Sequence, residues 1–370
     1  MRITLRFFLF FLLSFSLAAF AQTVHYVEAG PGVISAAYQA AAPGDIIELV
    51  TSGGSYTESA TMEITADKAI TIRAAAGITS PVWQCEASPF MTVGGTLIME
   101  GLTLDGQEAV KRAINTTGSA GYSIKIVNST LQGFEYMIYG SSSSALDSLV
   151  IINSLFKKAT NRALYFPAGT IDPGVVKRLS IRNSTFMDMK KTEPSIYFYA
   201  KSSPTVSPRL ELDHVTFYNC QRIRTNSGVT DVSIRNTIFA TDGTISGGQS
   251  FNLNGGVVEN TLVFNAPVSG SGASYSGFMD NVDPLFTDAA NGDLTLLEAT
   301  PAFHAGSDGK TLGDPRWWPR LSGRIYVAAG RDQIAAAVAA ANPGDVIELT
   351  SDGGLYVESS TVVIDKPVTI

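Results

Sequence analysis

The chain holds little of what usually betrays a chemistry at first reading. Of its 370 residues two are cysteine, three are histidine and 16% are charged. His25, His214 and His304 stand far apart, which leaves a histidine metal site without paired ligands. No Gly-rich phosphate loop, nucleophile elbow, Asp-Asp pair or Gly-His-Gly occurs, so phosphate-loop, serine-hydrolase and aspartate-cluster glycosidase chemistries have no carrier. Basic charge is short as well, 26 residues against 33 acidic ones, and a nucleic-acid partner needs a basic surface. After the first residues no run approaches the roughly 20 apolar residues of a membrane span. What is present is apolar character and glycine, in a chain too long for one average domain and too apolar for disorder.

Residues 1–21 read as a signal peptide. Arg2 and Arg6 precede an apolar run from Phe7 to Leu17, and Ala19-Phe20-Ala21 offers small residues at a cleavage site before Gln22. Export and a secreted or cell-surface location follow as expectations. The formal net charge of −7 becomes −9, because two arginines leave and no acid does.

Internal repeats set the architecture. A strand-like phrase of alternating apolar residues, then Asn, then small or β-branched residues and Phe or Leu, recurs at Ile124–Leu131, Val150–Phe156, Leu179–Phe186, Leu210–Phe217, Val232–Phe239 and Val257–Leu262, with degenerate copies at Ile70–Ala74 and Leu97–Leu104. The Asn places, from Ala74 to Asn260, are spaced 27, 27, 25, 30, 31, 22 and 24 residues apart. Strands of fixed length joined by variable loops give such spacing, and no helical period repeats. The prediction is an all-β, right-handed parallel β-helix of about eight coils, each laid on the last at about 4.8 Å. Stacked Asn amides at one corner are the expected ladder, an account preferred to glycosylation of the sequons at Asn128 and Asn183 because the place repeats without the sequon. Val33, Ile34, Ala37, Tyr38 and Ala41, closed by Pro43-Gly44, predict a capping helix over the open N-terminal edge. Cys85 and Cys220 fall four or five coils apart, beyond the roughly 7 Å Cα limit of a disulfide, and are expected to be free.

A second, longer repeat has an offset of 300 residues. Tyr26-Val27, Pro43-Gly44-Asp45, Glu48-Leu49, Gly53-Gly54, Tyr56 and Glu58-Ser59 return as Tyr326-Val327, Pro343-Gly344-Asp345, Glu348-Leu349, Gly353-Gly354, Tyr356 and Glu358-Ser359. The expected organisation is a signal peptide (1–21), one β-helix module (22–320) and the start of a second (321–370), with more chain expected after Ile370. Between the copies, Asp283-Pro284-Leu285-Phe286 to Trp317 reads as turn and loop, and the Asp288–Asp293 run as a turn rather than a calcium loop.

Each phrase is followed by a second strand, as in Met137-Ile138-Tyr139, Ala163-Leu164-Tyr165-Phe166, Ser195–Lys201, Arg222-Ile223-Arg224 and Phe251–Asn254. With Ile138, Leu164, Phe166, Ile196, Phe198, Ile223, Phe251 and Leu253 inward, alternation turns Tyr139, Tyr165, Tyr197, Tyr199, Lys201, Arg222, Arg224, Asn252 and Asn254 outward on one face. Aromatic rings stack on sugars and cations pair with uronate carboxylates, so the strip is expected to contact an acidic polysaccharide.

The opening Ala42–Leu49 with Gly53-Gly54-Ser55-Tyr56 is similar to that of chondroitinase B and alginate lyases of the same type. The Asp283–Trp317 run resembles the end of many uncharacterised bacterial β-helix domains, and the chain as a whole resembles secreted β-helix proteins of the pectate-lyase-like superfamily. The resemblance implies cleavage by β-elimination, with a Lys-Ser pair and an arginine about one coil later acting on the uronate. Here Lys201-Ser202, Arg222 and Arg224 match that layout. It also implies calcium held by nearby acids, but the acidic pair before the lysine is replaced by Ser195-Ile196-Tyr197-Phe198, with Glu193 alone nearby, so the ligand pattern is incomplete and no metal ligand is assigned. The alternative reading is a non-catalytic surface or adhesive array whose modules serve as stiff spacers.

Overall fold

The computed structural model describes residues 22–370 except 120, 190–191, 246–248, 269–271 and 352–353. The expected signal peptide lies outside the described residues. Among these, no helix is long and apolar enough to cross a membrane.

The chain winds into a parallel β-helix with three strand faces. Face A is a ladder of eleven parallel strands running from Val24–Val27 to Ser274–Ser276. Face B begins at Ser55–Glu58 and ends at Leu262–Phe264. Face C is a separate eight-stranded sheet from Met62–Ile64 to Phe251–Asn252. The expected eight coils were therefore too few. They are the eight rungs that carry the recurring phrase; Val24–Val27 and Ile46–Leu49 precede its first copy, and Ser274–Ser276, followed by Gly277, is too polar to be recognised as one.

The alternation in the phrase puts one residue of each pair into a single continuous core. Aromatic side chains repeat there from coil to coil: Phe156, Phe186, Phe217 and Phe239 stack with centroids 4.9, 5.1 and 5.1 Å apart, the spacing of the strands that carry them.

Asn is required between faces A and B because the backbone there is left-handed. Asn128, Asn153, Asn183, His214, Asn236 and Asn260 have φ between 43° and 51°, and Gly101 takes the same place at 72°. Among L-residues Asn tolerates this conformation best, since its short polar side chain bonds locally. The expected ladder of stacked amides is not what forms. Among the described residues no two of these corner amides bond to each other; at Asn128, Asn153 and Asn183 the coil-to-coil bonds are made by the next residue, serine, and Asn236 Nδ2 donates to Asp213 on the preceding coil at 2.8 Å. Ser129 Oγ, Ser154 Oγ and Ser184 Oγ accept from Leu102 N, Ser129 N and Ser154 N at 3.2, 3.2 and 3.0 Å, and each donates to the carbonyl two residues back. The amides instead face the chain that follows the β-helix and bond to it: Asn153 Nδ2 donates to Ala329 O at 2.8 Å, Asn183 Nδ2 to Ser351 Oγ at 3.0 Å and Asn260 Nδ2 to Ala305 O at 2.9 Å.

The cap is the helix Val33–Ala40, with Ile34 and Tyr38 buried against the first coil. Buried Glu58 accepts from Ile34 N and Ser35 N at 3.1 Å each, where an anion complements the helix dipole, and Lys68 Nζ donates to the carbonyls of Tyr38 and Gln39 at the other end. The same arrangement recurs 300 residues on. Glu358 accepts from Ile334 N and Ala335 N under the helix Gln333–Ala340, Lys366 Nζ donates to Ala339 O and Ala341 O, and Tyr356 OH reaches Val327 O as Tyr56 OH reaches Val27 O, both at 3.1 Å.

The segment read as turn and loop contains an antiparallel pair, Phe286–Asp288 with Asp293–Leu296. Leu294 and Leu296 alternate inward onto Met187, Tyr218, Ile238 and Leu262 at face B, an apolar pair too short to stand out among the surrounding turn residues. The Asp288–Asp293 run is the connection of this hairpin, with Asn291 Nδ2 bonded to Asp288. Cys85 and Cys220 are both free and buried.

Candidate functional site

The closing run occupies the corner and part of face B, and the expected strip stands on face C. Its inward set, from Ile138 to Leu253, is buried throughout. The register aligns Asn115, Tyr139, Tyr165, Tyr197, Arg224 and Asn252 as one outward row, one residue per coil. Centroids of Tyr139 and Tyr165, and of Tyr165 and Tyr197, are 5.1 Å apart, and Tyr199 stacks on Tyr197 at 3.9 Å. The distances follow the strand spacing, so the parallel register itself builds the aromatic row.

Arginines lock the rings. The Arg112 guanidinium lies 3.7 Å from the Tyr139 centroid, Arg162 lies 5.0 and 5.3 Å from those of Tyr165 and Tyr197, and Arg224 lies 5.9 Å from both Tyr197 and Tyr199. Arg112, Arg162 and a fifth tyrosine, Tyr136, were missed in the sequence. The signal was available: Arg112-Ala113-Ile114-Asn115, Tyr136-Met137-Ile138-Tyr139 and Arg162-Ala163-Leu164-Tyr165 are copies of one phrase, aligned residue for residue.

The charges are not equivalent. Arg162 is paired with Glu193 and bonded to Asn161 Oδ1, so its charge is answered within the protein. Among the described residues the Arg112 guanidinium bonds only the neutral Asn115, that of Arg222 only the neutral Gln249 at 2.6 Å, and Arg224 and Lys201 form no ion pair. Burial raises the Tyr136, Tyr165 and Tyr197 hydroxyls above the ordinary phenol range, and a hydrogen bond with Tyr199 adds to the rise at Tyr197. All three remain O–H donors at neutral pH.

Of the residues singled out in the sequence, the structure brings Tyr139, Tyr165, Tyr197, Tyr199 and Arg224 together, with Asn252 next in the row. Arg222 precedes the row by two residues. Asn254 is exposed, its amide spent on Thr225 O at 2.8 Å. Lys201 lies past the end of the strand Ile196–Phe198, where its N–H donates to Pro173 O. By register it stands level with Gly228, six positions along the coil from the level of Arg222. Lys201 and Arg222 therefore flank the strip from opposite ends of two paired strands, Lys201 after Ile196–Phe198 and Arg222 before Ile223–Thr225, with Arg224 between their levels.

Calcium does not fit this donor set. Glu193, the one acid near the lysine in sequence, is engaged by Arg162, and among the described residues no three His, Cys, Asp or Glu side chains gather in metal-holding geometry.

No protein-family model and no curated protein sequence matches this chain. Among solved structures it is similar to a PL6-family alginate lyase, AlyGC, with a TM-score of 0.51 and 19% identity over 70% of this chain and 40% of that one. The structure of an arginine mutant of the same lyase gives a TM-score of 0.47 at 18% identity, over 70% and 38% of the two chains, and carries no argument. At such identity the likeness establishes the fold, a parallel β-helix, and this chain spans about two fifths of the lyase's length.

Proposed function

We propose that this is an exported β-helix protein that holds an acidic extracellular polysaccharide along face C. One observation carries the reading: a continuous row of Tyr139, Tyr165, Tyr197 and Tyr199 is interleaved with guanidinium groups, two of which, Arg112 and Arg224, form no ion pair with a described residue, on a chain of negative net charge. An acidic protein that concentrates unanswered cations on one face is suited to an anionic partner. Asn252 and Asn254 extend the contact beyond the arginines. Residues 22–320 form the binding module, and 321–370 repeat its start.

Cleavage by β-elimination is the second reading, supported by Lys201, which forms no ion pair with a described residue, standing on the same face as Arg222 and Arg224. In it the neutral Lys201 amine removes the proton from the carbon next to the uronate carboxylate, Arg224 and Arg222 neutralise that carboxylate as charge builds on it, and the electron pair forms a carbon–carbon double bond as the bond to the glycosidic oxygen breaks, that oxygen taking up a proton from solvent.

Affinity electrophoresis against alginate, pectate, chondroitin and dermatan tests the first reading, and ultraviolet absorbance of the unsaturated product tests the second. Binding is expected to weaken about tenfold in Arg224→Ala, the loss of one charge-assisted hydrogen bond. Absence of binding to all four polymers would sink the proposal and favour the spacer reading. If absorbance grows equally with Lys201→Ala, the base is wrongly assigned.

A further inference from the structure

We infer that the strip recognises its ligand through the edges of its tyrosines, as a row of phenolic hydroxyls between cations, and not through stacking of sugar rings on open aromatic faces. The inference rests on the binding reading above and deepens it.

The faces are already taken. Tyr165 lies between Tyr139 and Tyr197, tilted 40° and 36° to them with both centroids at 5.1 Å, so each of its faces meets a neighbouring ring. One face of Tyr139 carries the Arg112 guanidinium, and Tyr197 is stacked on Tyr199. Because the rings pile along the coil axis, a sugar lying on face C meets their rims and their oxygens. A strip built for stacking would instead lay its rings flat on the sheet, with the faces free.

The hydroxyls fall into two sets. Tyr136 OH accepts from Asn161 Nδ2 at 2.8 Å, and Tyr197 OH is shared with Tyr199. The hydroxyls of Tyr139 and Tyr165 make no hydrogen bond with a described residue, and both side chains are partly exposed. They stand one coil apart, flanked along the row by the uncompensated Arg112 and Arg224. Two free donors at the strand spacing, bracketed by two cations, match an extended anionic chain that offers a hydroxyl or carboxylate acceptor on successive residues. Arg162, neutralised by Glu193, acts on the ligand only by fixing the rings.

Tyr→Phe substitution separates the two modes, because it deletes the hydroxyl and keeps the ring. The double variant Tyr139→Phe/Tyr165→Phe, titrated calorimetrically with a hexameric oligouronate prepared from whichever polymer the wild type retains, is expected to bind at least about tenfold more weakly than wild type. Its melting transition should stay in place, since the ring pile is intact, and Tyr165→Phe alone provides the smaller perturbation should the double variant melt early. Methyl esterification of the oligouronate keeps the rings and most acceptors but removes the charge, and is expected to weaken wild-type binding further. Full wild-type affinity in the Phe variants, with loss only in Tyr165→Ala, would overturn the inference in favour of ring-face stacking and leave the binding reading standing. A wild type that retains none of the polymers fails at the earlier step and overturns the binding reading itself.

Discussion

Serine and asparagine divide the work at the three corners where they stand side by side, Asn128-Ser129, Asn153-Ser154 and Asn183-Ser184. Serine makes the axial bonds because its short hydroxyl reaches the neighbouring backbone, and asparagine supplies the left-handed turn and an amide for the chain outside. His214 is the exception among the corner places and shows what the position tolerates. It keeps the left-handed backbone, at φ 50°, and its ring bonds Asp308 through Nε2 at 3.0 Å and Gly313 O through Nδ1 at 3.3 Å. Burial pushes the Asp308 carboxyl upward, but the hydrogen bond and charge of His214, together with the backbone N–H and charge of Lys310, more than offset it and hold the group at about 2. A carboxylate titrating below its unfolded value of about 3.9 stabilises the fold above that pH, and the contribution is lost as pH falls through the folded value. Melting temperature followed from pH 5 to pH 2 is expected to fall more steeply in the wild type than in Asp308→Asn. Parallel profiles would show that the His214–Asp308 contact does not hold the closing run.

At the scale of elements, stability comes from stacked layers of like side chains. Phe186 sits between Phe156 and Phe217 in the core pile, fully buried. Phe186→Ala is expected to cost about 3–5 kcal/mol, read from the urea midpoint, because rigid coils above and below cannot collapse into the space. A loss below about 1 kcal/mol would mean that the coils adjust freely. Alternation made this layer and the face C strip legible in the sequence, since each depends only on which residues of a strand point inward. The coil number was less legible. It rested on the phrase, and rungs without the phrase, such as Val24–Val27 and Ser274–Ser276, pair through backbone bonds that any residue supplies. The hairpin of Phe286–Asp288 and Asp293–Leu296 escaped for the related reason that a pair of short strands leaves too few alternations to read.

At the scale of the molecule, residues far apart in sequence are held by the corner amides and by one buried carboxylate. Asp314 accepts from Thr185 Oγ1 at 2.7 Å and from Arg316 N at 3.0 Å, while Arg316 reaches Asn153 O and Trp317 Nε1 reaches Thr185 Oγ1, both at 2.8 Å. Burial raises the Asp314 carboxyl, a desolvation tolerated because donors surround it. Trp318 then packs edge-on against Tyr326 at 5.4 Å, and Ala329 and Ser351 take the amides of Asn153 and Asn183. Asn183→Ala removes one of these ties and leaves the coils intact. Limited proteolysis is expected to cut residues 323–370 several-fold faster in that variant, with the β-helix core resistant. Equal rates would show that the amide contacts do not secure the segment.

The sequence by itself determined the winding of the chain, the inward and outward sets of every phrase, the recurrence of Asn at one corner and the 300-residue repeat, because these depend on a period written into adjacent residues. Only the tertiary structure decided what those sets amount to. Register between coils placed Tyr139, Tyr165 and Tyr197 close enough to cover one another, paired Arg162 with Glu193 while leaving Arg224 without an acid among the described residues, and set Lys201 and Arg222 at opposite ends of two paired strands. Such relations join residues some 25–30 positions apart through loops of unequal length, and no local pattern encodes them. The charge and exposure of a side chain on face C are therefore properties of the stack and not of the strand that carries it.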